Sequence, residues 1–416
     1  MYMDAIGSPL PFVAINALAF VVAWVIVRTS RFYREQDGQP APGRAQMIDG
    51  LRGWLALGVF FTHVALMYAY NAGGAWDAPA SAFYRLTGEI AVSLFFMITG
   101  FLFWTRALRG GDRFDTAALY RSRLRRIVPM YLVSVAIMLI VVAVISGFRL
   151  NTGPAELARQ LRAWLSFGFM RGDEINGVRD AHNINAVYWT LAYEWSFYVA
   201  LPLLAVIARR IGHAALFAVA FVYALAMPVT LNFIVGALVA ILVERRLLGP
   251  WLRDWKLAPL PVAALIAVLF FPSAYALVPV LLMSVFFVFV VGGNSLFGLL
   301  ASAPARVLGT ISYSLYLVHC IVVYTVVRAV NARVPIATLQ LHEYLLVALL
   351  AAVLAIVLSA VTYRYVEYPF LKRRLRSAEP AGAAQAAIAI RVASGERSGT
   401  AGAEQPEAAQ ASSAGI

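Results

Sequence analysis

Long apolar stretches recur along the whole chain, separated by short polar segments. Eleven of them reach spanning or near-spanning length, and they cover residues 10–27, 51–70, 88–104, 127–147, 186–207, 213–227, 229–243, 257–271, 276–292, 310–328 and 343–363. A helix needs about 20 apolar residues to cross the hydrocarbon core of a bilayer. The pattern therefore predicts an all-α fold, a polytopic transmembrane helix bundle of about 10–11 spans with no soluble domain.

The polar segments divide the chain into three predicted regions. Residues 1–46 are expected to form an extra N-terminal transmembrane helix and a basic cytoplasmic loop, and residues 47–376 the main transmembrane domain. Residues 377–416 are rich in Ala, Gly, Ser and Gln without apolar periodicity, which predicts a disordered cytoplasmic tail. Within the longest loop, 148–185, Leu157, Leu161 and Trp164 recur at helical spacing and predict an amphipathic interfacial helix.

Composition and charge agree with this organisation. The 416 residues are 62% hydrophobic and only 13% charged, which excludes a soluble enzyme. The 34 lysines and arginines exceed the 21 acidic residues. If the spans alternate from an extracytoplasmic N-terminus, the basic residues divide about three to one in favour of the cytoplasmic side, which predicts a cytoplasmic C-terminus. Because no basic stretch is interleaved with aromatic residues, the lipid bilayer is the expected partner and nucleic acid is not.

Three ionisable side chains lie inside predicted spans, where charge is costly. His63 follows Arg52 by eleven positions and therefore lies about 16 Å deeper than the cytoplasmic end of its span. Glu194 is expected about 12 Å from the outer edge and His319 about 14 Å from the cytoplasmic edge, at the same helical rise. In a core about 30 Å thick, all three converge near the midplane.

Such a set is suited to proton handling. A neutral imidazole can accept a proton from a hydroxyl, and a carboxylate can fix its tautomer and stabilise the imidazolium that forms. The pattern alone leaves three interpretations open: an active site, a proton or solute pathway, and polar packing between helices. A transporter or flippase with an intramembrane His/Glu proton relay is the alternative function.

Five sequence blocks, in order from about Met47 to Arg376, resemble the acyltransferase-3 family of integral membrane acyltransferases, which includes bacterial O-acetyltransferases of surface glycans. They are "DGLRGWLALGVFFTHV", "SLFFMITGFLFW", "RSRLRRIVPMY", "YWTLAYEWSFYVALPLL" and the closing pair "ISYSLYLVH" and "YRYVEYPF". The first holds a basic residue and a histidine, Arg52 and His63, at the family's spacing. The fourth keeps Glu194, but Trp195 stands where a second acid is usual, so Glu194 must act alone.

The resemblance implies transfer of an acyl group, by default acetyl, from cytoplasmic acyl-CoA (acetyl-CoA) to a hydroxyl of an extracytoplasmic glycan or lipid-linked saccharide. It implies a location in the bacterial inner membrane and an enzyme that works alone or with a separate periplasmic partner. The predicted site has His63 as general base and Glu194 as its orienting group, Arg52, Arg123 and Arg126 on the donor phosphates, and His319 and Tyr313 lining the pocket.

Cysteine and metal chemistry are not predicted. The single cysteine, Cys320, excludes an internal disulfide and a cysteine-based metal cluster. Although Cys320 adjoins His319, neighbours on a helix point about 100° apart, which favours ordinary packing. The "HEYLL" segment at His342 lacks the second histidine of a zinc helix. No metal is therefore expected.

Overall fold

A computed structural model describes residues 10–38, 44–73, 76, 79 and 81–372. The predicted tail from residue 377 lies outside these residues. In the described part of the chain the secondary structure is helical, with fourteen α-helices and no strand. Their bounds are α1 Leu10–Thr29, α2 Arg31–Asp37, α3 Arg44–Asn71, α4 Ala82–Gly110, α5 Thr116–Ile145, α6 Pro154–Trp164, α7 Trp189–Ile211, α8 His213–Ala226, α9 Leu231–Glu244, α10 Pro259–Val268, α11 Leu277–Gly292, α12 Ala303–Thr310, α13 Ser312–Asn331 and α14 Leu341–Thr362.

Among the described residues, seven helices are long and apolar enough to cross a membrane: α1, α3, α4, α5, α7, α13 and α14. The 20-residue α1 measures about 30 Å, which matches the hydrocarbon core. The prediction of a polytopic all-α bundle is confirmed. Helices are also present at the other four predicted spans, but these shorter apolar helices, α8 to α11, have at most 17 residues. At about 1.5 Å per residue, each is shorter than the core is thick.

Helices α3 and α4 form the centre of the bundle because small residues let neighbouring backbones approach them closely. A Cβ added at Gly309 of α12 would lie 1.8 Å from the carbonyl oxygen of Asp49 on α3. One added at Gly236 of α9 would lie 2.1 Å from the carbonyl oxygen of Met97 on α4. Only glycine fits at either crossing, which is the usual device for close helix packing in membranes.

The segment after α5 folds over one end of the bundle. Helix α6 confirms the predicted helix of the long loop, and Trp164 at its C-terminus is buried. The carbonyl of Trp164 accepts a hydrogen bond of 2.5 Å from the Tyr131 hydroxyl, which in turn accepts one of 3.1 Å from the backbone N–H of Phe167. On the exposed side of α6, the hydrogen bond from Arg159 holds the pKa of Glu156 below its ordinary value. We call this end of the bundle the loop end.

The opposite end carries Arg52, Arg123 and Arg126, and we call it the arginine end. Helix α14 continues there into a π-helical turn, Tyr363–Glu367, whose last carboxylate is buried. The described residues up to Pro369 belong to one compact unit, and Phe370–Lys372, all helical, belong to a second.

Candidate active site

The two intramembrane histidines meet in the structure. Nδ1 of His63, on α3, lies 3.2 Å from Nε2 of His319, on α13. The ring centroids are 5.0 Å apart, with the planes inclined by 63°. His319 is fully buried, whereas His63 is partly accessible. The contact brings together two of the predicted site residues from positions 256 residues apart in sequence.

The partners of the two rings fix their tautomers. Nδ1 of His63 lies 2.9 Å from the carbonyl oxygen of Val59, and Nδ1 of His319 lies 3.0 Å from that of Leu315. A carbonyl oxygen can only accept, so each Nδ1 must carry the proton. The neutral His319 ring therefore has a lone pair on Nε2, positioned to accept from Nδ1–H of His63. By the same reasoning, Nε2 of His63 is unprotonated and free to accept a proton.

His63 lines a cavity of about 700 Å³ at the loop end. Aromatic rings form much of the wall, among them Trp76, Trp164, Tyr188, Trp189, Tyr275 and Tyr316. Charged or ionisable side chains also line it, among them Arg85, Glu89, Arg171, Asp173 and His182. A concave site with apolar rings and a few polar groups is typical of small-molecule binding.

Glu89 fixes one wall of this cavity, a role that the sequence pattern did not reveal. Its carboxylate accepts hydrogen bonds from the hydroxyl of Ser273 (2.8 Å) and the backbone N–H of Ala274 (2.7 Å), and it pairs with Arg85 at 3.1 Å. These contacts hold the 272–275 loop against α4. Burial and the neighbouring Glu89 raise the pKa of Tyr275 above its ordinary value, so the phenol stays protonated and can donate.

Glu194 lies among the arginines rather than in contact with the histidine pair. Its carboxylate accepts a hydrogen bond of 3.3 Å from the hydroxyl of Thr99, and its electrostatic partners are Arg123, Arg126 and Arg52. It is not among the residues that line the cavity at the loop end. The structure therefore groups Glu194 with the predicted donor-binding arginines, and groups His63 with His319.

The arginine end joins the three predicted donor-binding residues in one charged network. The guanidinium of Arg123 lies 4.7 Å above the ring of Phe103, a cation–π contact. Arg52 lies 3.9 Å from Asp49. Glu367, on the π-helical turn, interacts electrostatically with both Arg126 and Arg52.

One carboxylate oxygen of Glu367 accepts from the hydroxyl of Ser314, and the other is buried without a hydrogen-bond partner in the described structure. A π-helical turn that presents such a group is common at functional sites.

Tyr313, predicted to line the same pocket as His319, lies instead toward the arginine end. It precedes His319 by six residues on α13, which is about 9 Å along the axis. Its hydroxyl donates a hydrogen bond of 3.0 Å to the carbonyl of Ile127. Its electrostatic partners include Glu367 and Glu194.

Cys320 lies closer to the histidines than its helical position suggests. Its side chain is buried, as expected for ordinary packing, but Sγ lies 3.4 Å from Nε2 of His319. The imidazole bends back toward the carbonyl of Leu315, one turn earlier, and this conformation brings its Nε2 edge within reach of the thiol. The nominal angle between neighbouring residues on a helix does not capture this contact.

Comparison with known proteins identifies the family. Residues 46–364 match a family described as "Acyltransferase domain", which is more than half of the chain. The chain belongs to this acyltransferase-3 family. Together with its apolar helices, this membership makes it a multi-pass membrane protein of an acyltransferase family.

Two curated relatives are similar over part of the chain. Nodulation protein 10 of Rhizobium leguminosarum bv. viciae is 27% identical over 184 residues, which cover 42% of this chain and 48% of that protein. Acyltransferase MdmB of Streptomyces mycarofaciens is 27% identical over 179 residues, which cover 41% of this chain and 42% of that protein. The chain thus matches less than half the length of these relatives. No solved structure matches it.

Proposed function

We propose that this protein transfers an acyl group, acetyl in the simplest case, from cytoplasmic acyl-CoA to a hydroxyl of an extracytoplasmic saccharide. We further propose that it resides in the bacterial inner membrane with the arginine end in the cytoplasm. The N-terminus would then be extracytoplasmic and the C-terminus cytoplasmic. The concentration of cationic side chains at the arginine end supports this orientation.

The cavity at the loop end is the proposed acceptor site. Its volume, about 700 Å³, suits a sugar residue with part of its neighbour. Rings such as Trp189 and Tyr316 provide apolar faces, and the Tyr275 hydroxyl and the Arg171 guanidinium provide donors. A saccharide presents apolar C–H faces and many hydroxyls, so both kinds of group would be used.

The arginine end is the proposed donor site. Guanidinium groups bind phosphates with two parallel hydrogen bonds, and coenzyme A carries several phosphates. Arg52, Arg123 and Arg126 face the carboxylates of Glu194 and Glu367. Phosphate binding would therefore replace a carboxylate as the anionic partner of these arginines. Because Glu194 is one of those carboxylates, its electrostatic interactions would depend on whether the donor is bound.

In the proposed reaction, His63 acts as general base. Its Nε2 takes the proton from the acceptor hydroxyl as that oxygen attacks the thioester carbonyl. A C–O bond forms, the C–S bond breaks, and the proton on Nε2 passes to the departing thiolate. His319 and the Val59 carbonyl accept the Nδ1–H of the transient imidazolium. We therefore assign the orienting role to His319.

The observation that carries this proposal is the position of His63, which lines the cavity while its Nδ1 contacts the Val59 carbonyl. The test is transfer of labelled acetyl from acetyl-CoA to surface saccharides in isolated membranes, read by mass spectrometry. We expect His63→Ala to lose about 10²- to 10⁴-fold in rate, the usual contribution of a general base. The matched control is His213→Ala, a histidine on α8 that packs on Trp104.

Full activity of an inserted His63→Ala protein would contradict the mechanism. Movement of solute without any labelled product would favour the transporter alternative.

A further inference from the structure

Beside the acceptor cavity lies a group of three side chains that can hold a metal ion. They are His63, His319 and Cys320, whose ligand atoms Nδ1, Nε2 and Sγ all lie within 4.8 Å of one another. They come from two helices, α3 and α13, that pack directly together. The group is buried except where His63 reaches the cavity.

We propose that these three residues form an inhibitory site for a thiophilic cation such as Zn²⁺, entered from the loop end. The inference that binding inhibits the enzyme rests on the proposed function, but the inference that the cation binds does not.

The distances within the group support tetrahedral coordination. With bonds of about 2.0–2.1 Å to nitrogen and about 2.3 Å to sulfur, two nitrogen ligands lie about 3.3 Å apart and a nitrogen and a sulfur about 3.5 Å apart. The observed separations are 3.2 Å between the two ring nitrogens and 3.4 Å between Nε2 of His319 and Sγ of Cys320. The third edge, between the His63 nitrogen and Sγ of Cys320, is at most 4.8 Å. It needs to shorten by at most about 1.3 Å, which a rotation of the Cys320 side chain supplies.

The chemistry of the ligands selects the kind of cation. Two imidazoles and a thiolate suit zinc, cobalt, cadmium or copper, whereas magnesium and calcium require oxygen ligands. Three protein ligands leave a fourth position for water. The cavity that His63 lines provides the entry path. One cysteine is sufficient for this site, so the single cysteine of the chain does not exclude it.

Binding would remove the base of the proposed reaction. To coordinate through Nδ1, His63 must give up the proton that it donates to Val59, and in a neutral ring that proton resides on Nε2. The thiol of Cys320 loses its proton to solvent, so one proton is released for each cation bound. Nε2 of His63 then carries hydrogen and cannot accept it from the acceptor hydroxyl. The Val59 carbonyl keeps the backbone hydrogen bond of its helical turn.

The direct test uses the full-length protein in detergent, stripped with a chelator and titrated with Co²⁺ as a spectroscopic substitute for Zn²⁺. We expect one Co²⁺ per chain and a thiolate-to-cobalt charge-transfer band. Cys320→Ser, which is nearly isosteric, should lose the band and weaken binding by at least about 10-fold to 100-fold. His182→Ala, which removes another histidine on the same cavity wall, should keep both.

A wild-type protein without the band, or a Cys320→Ser protein that keeps its affinity, overturns the site. The functional arm compares each protein with its own metal-free activity. We expect saturating Zn²⁺ to lower acyl transfer by about 10²- to 10⁴-fold in the wild type and to have little effect in Cys320→Ser. If the band forms while transfer continues unchanged, the inhibitory role is refuted. If the protein shows no acyl transfer at all, the proposed function fails while the cobalt spectrum still decides the site.

Discussion

Replacing His319 tests whether it positions His63 during proton transfer. In the structure, Nε2 of His319 accepts from Nδ1–H of His63 at 3.2 Å, and the Val59 carbonyl is the other acceptor at 2.9 Å. When Nε2 of His63 takes the acceptor proton, the ring becomes positively charged and both hydrogen bonds become charge-assisted. His319→Leu removes one of these hydrogen bonds and places an apolar side chain of similar size at this position.

The size of the effect follows from that hydrogen bond. A hydrogen bond to a charged group contributes about 1.5–3 kcal/mol, and each 1.36 kcal/mol in the barrier is about tenfold in rate. His319→Leu should therefore lower kcat by about 10-fold to 150-fold. Because His319 is buried and touches neither proposed substrate site, KM for acyl-CoA should stay nearly constant.

His319→Gln is the matched variant. The glutamine amide oxygen can reach close to the position of Nε2 and accept from His63, so this variant should recover most of the activity that leucine loses. The assay is the initial rate of labelled acetyl transfer by purified protein in proteoliposomes, with thermal unfolding measured alongside. Equal losses in the leucine and glutamine variants, at equal stability, would refute the positioning role.

Three further predictions concern other parts of the molecule. Gly309→Ala should cost about 1–3 kcal/mol of stability through its clash with the Asp49 backbone. Gly58→Ala should cost much less in the same thermal melt, because the nearest atom to its Cβ would be the Ala91 methyl at 3.2 Å. Arg123→Gln should raise KM for acyl-CoA by about tenfold or more through loss of a charge-assisted contact, and an unchanged KM would remove Arg123 from the donor site. Trp189→Ala should raise KM for the saccharide by about 2-fold to 13-fold, which is the equivalent of about 0.5–1.5 kcal/mol for an aromatic contact. The KM for acyl-CoA should not change. A changed KM for acyl-CoA with an unchanged KM for the saccharide would place the acceptor elsewhere.

The sequence predicted the helices and the depth of their ionisable groups well. Helical rise is constant, so counting residues from the end of a span places His63 and His319 at one level without any tertiary information. The contact between them confirms that they share a depth. Among the described residues, apolar length alone also identified the seven helices that are long enough to span.

The direction of each side chain around its helix could not be predicted in the same way. Glu194 was expected beside His63 because the two share a depth, yet its carboxylate bonds Thr99 and faces the arginines. Tyr313 likewise lies toward the arginine end. The direction of a side chain around its helix depends on how the helices pack and rotate against one another. A run of almost uniformly apolar residues has little periodicity from which that direction could be predicted.

The cavity at the loop end could not be predicted from the sequence, because irregular segments build much of its wall. Four non-glycine residues of the segment between α5 and α7 adopt positive φ: Phe148, Phe167, Asn176 and Asp180. Phenylalanine rarely adopts this conformation, so these two side chains give no local sign of the turns at Phe148 and Phe167. They are held by tertiary contacts, such as the stacking of Phe167 on Tyr131 with centroids 4.3 Å apart.

The most direct test of the proposed function is sided acyl transfer by oriented proteoliposomes. Labelled acetyl-CoA is supplied only at the arginine end, and a saccharide acceptor is present only at the loop end. We expect label to reach the acceptor across the sealed bilayer. We expect His63→Gln to abolish this transfer and His213→Ala to leave it unchanged. Transfer that requires donor and acceptor on the same side, or that survives in His63→Gln, would contradict the claim that His63 joins a donor site and an acceptor site on opposite faces.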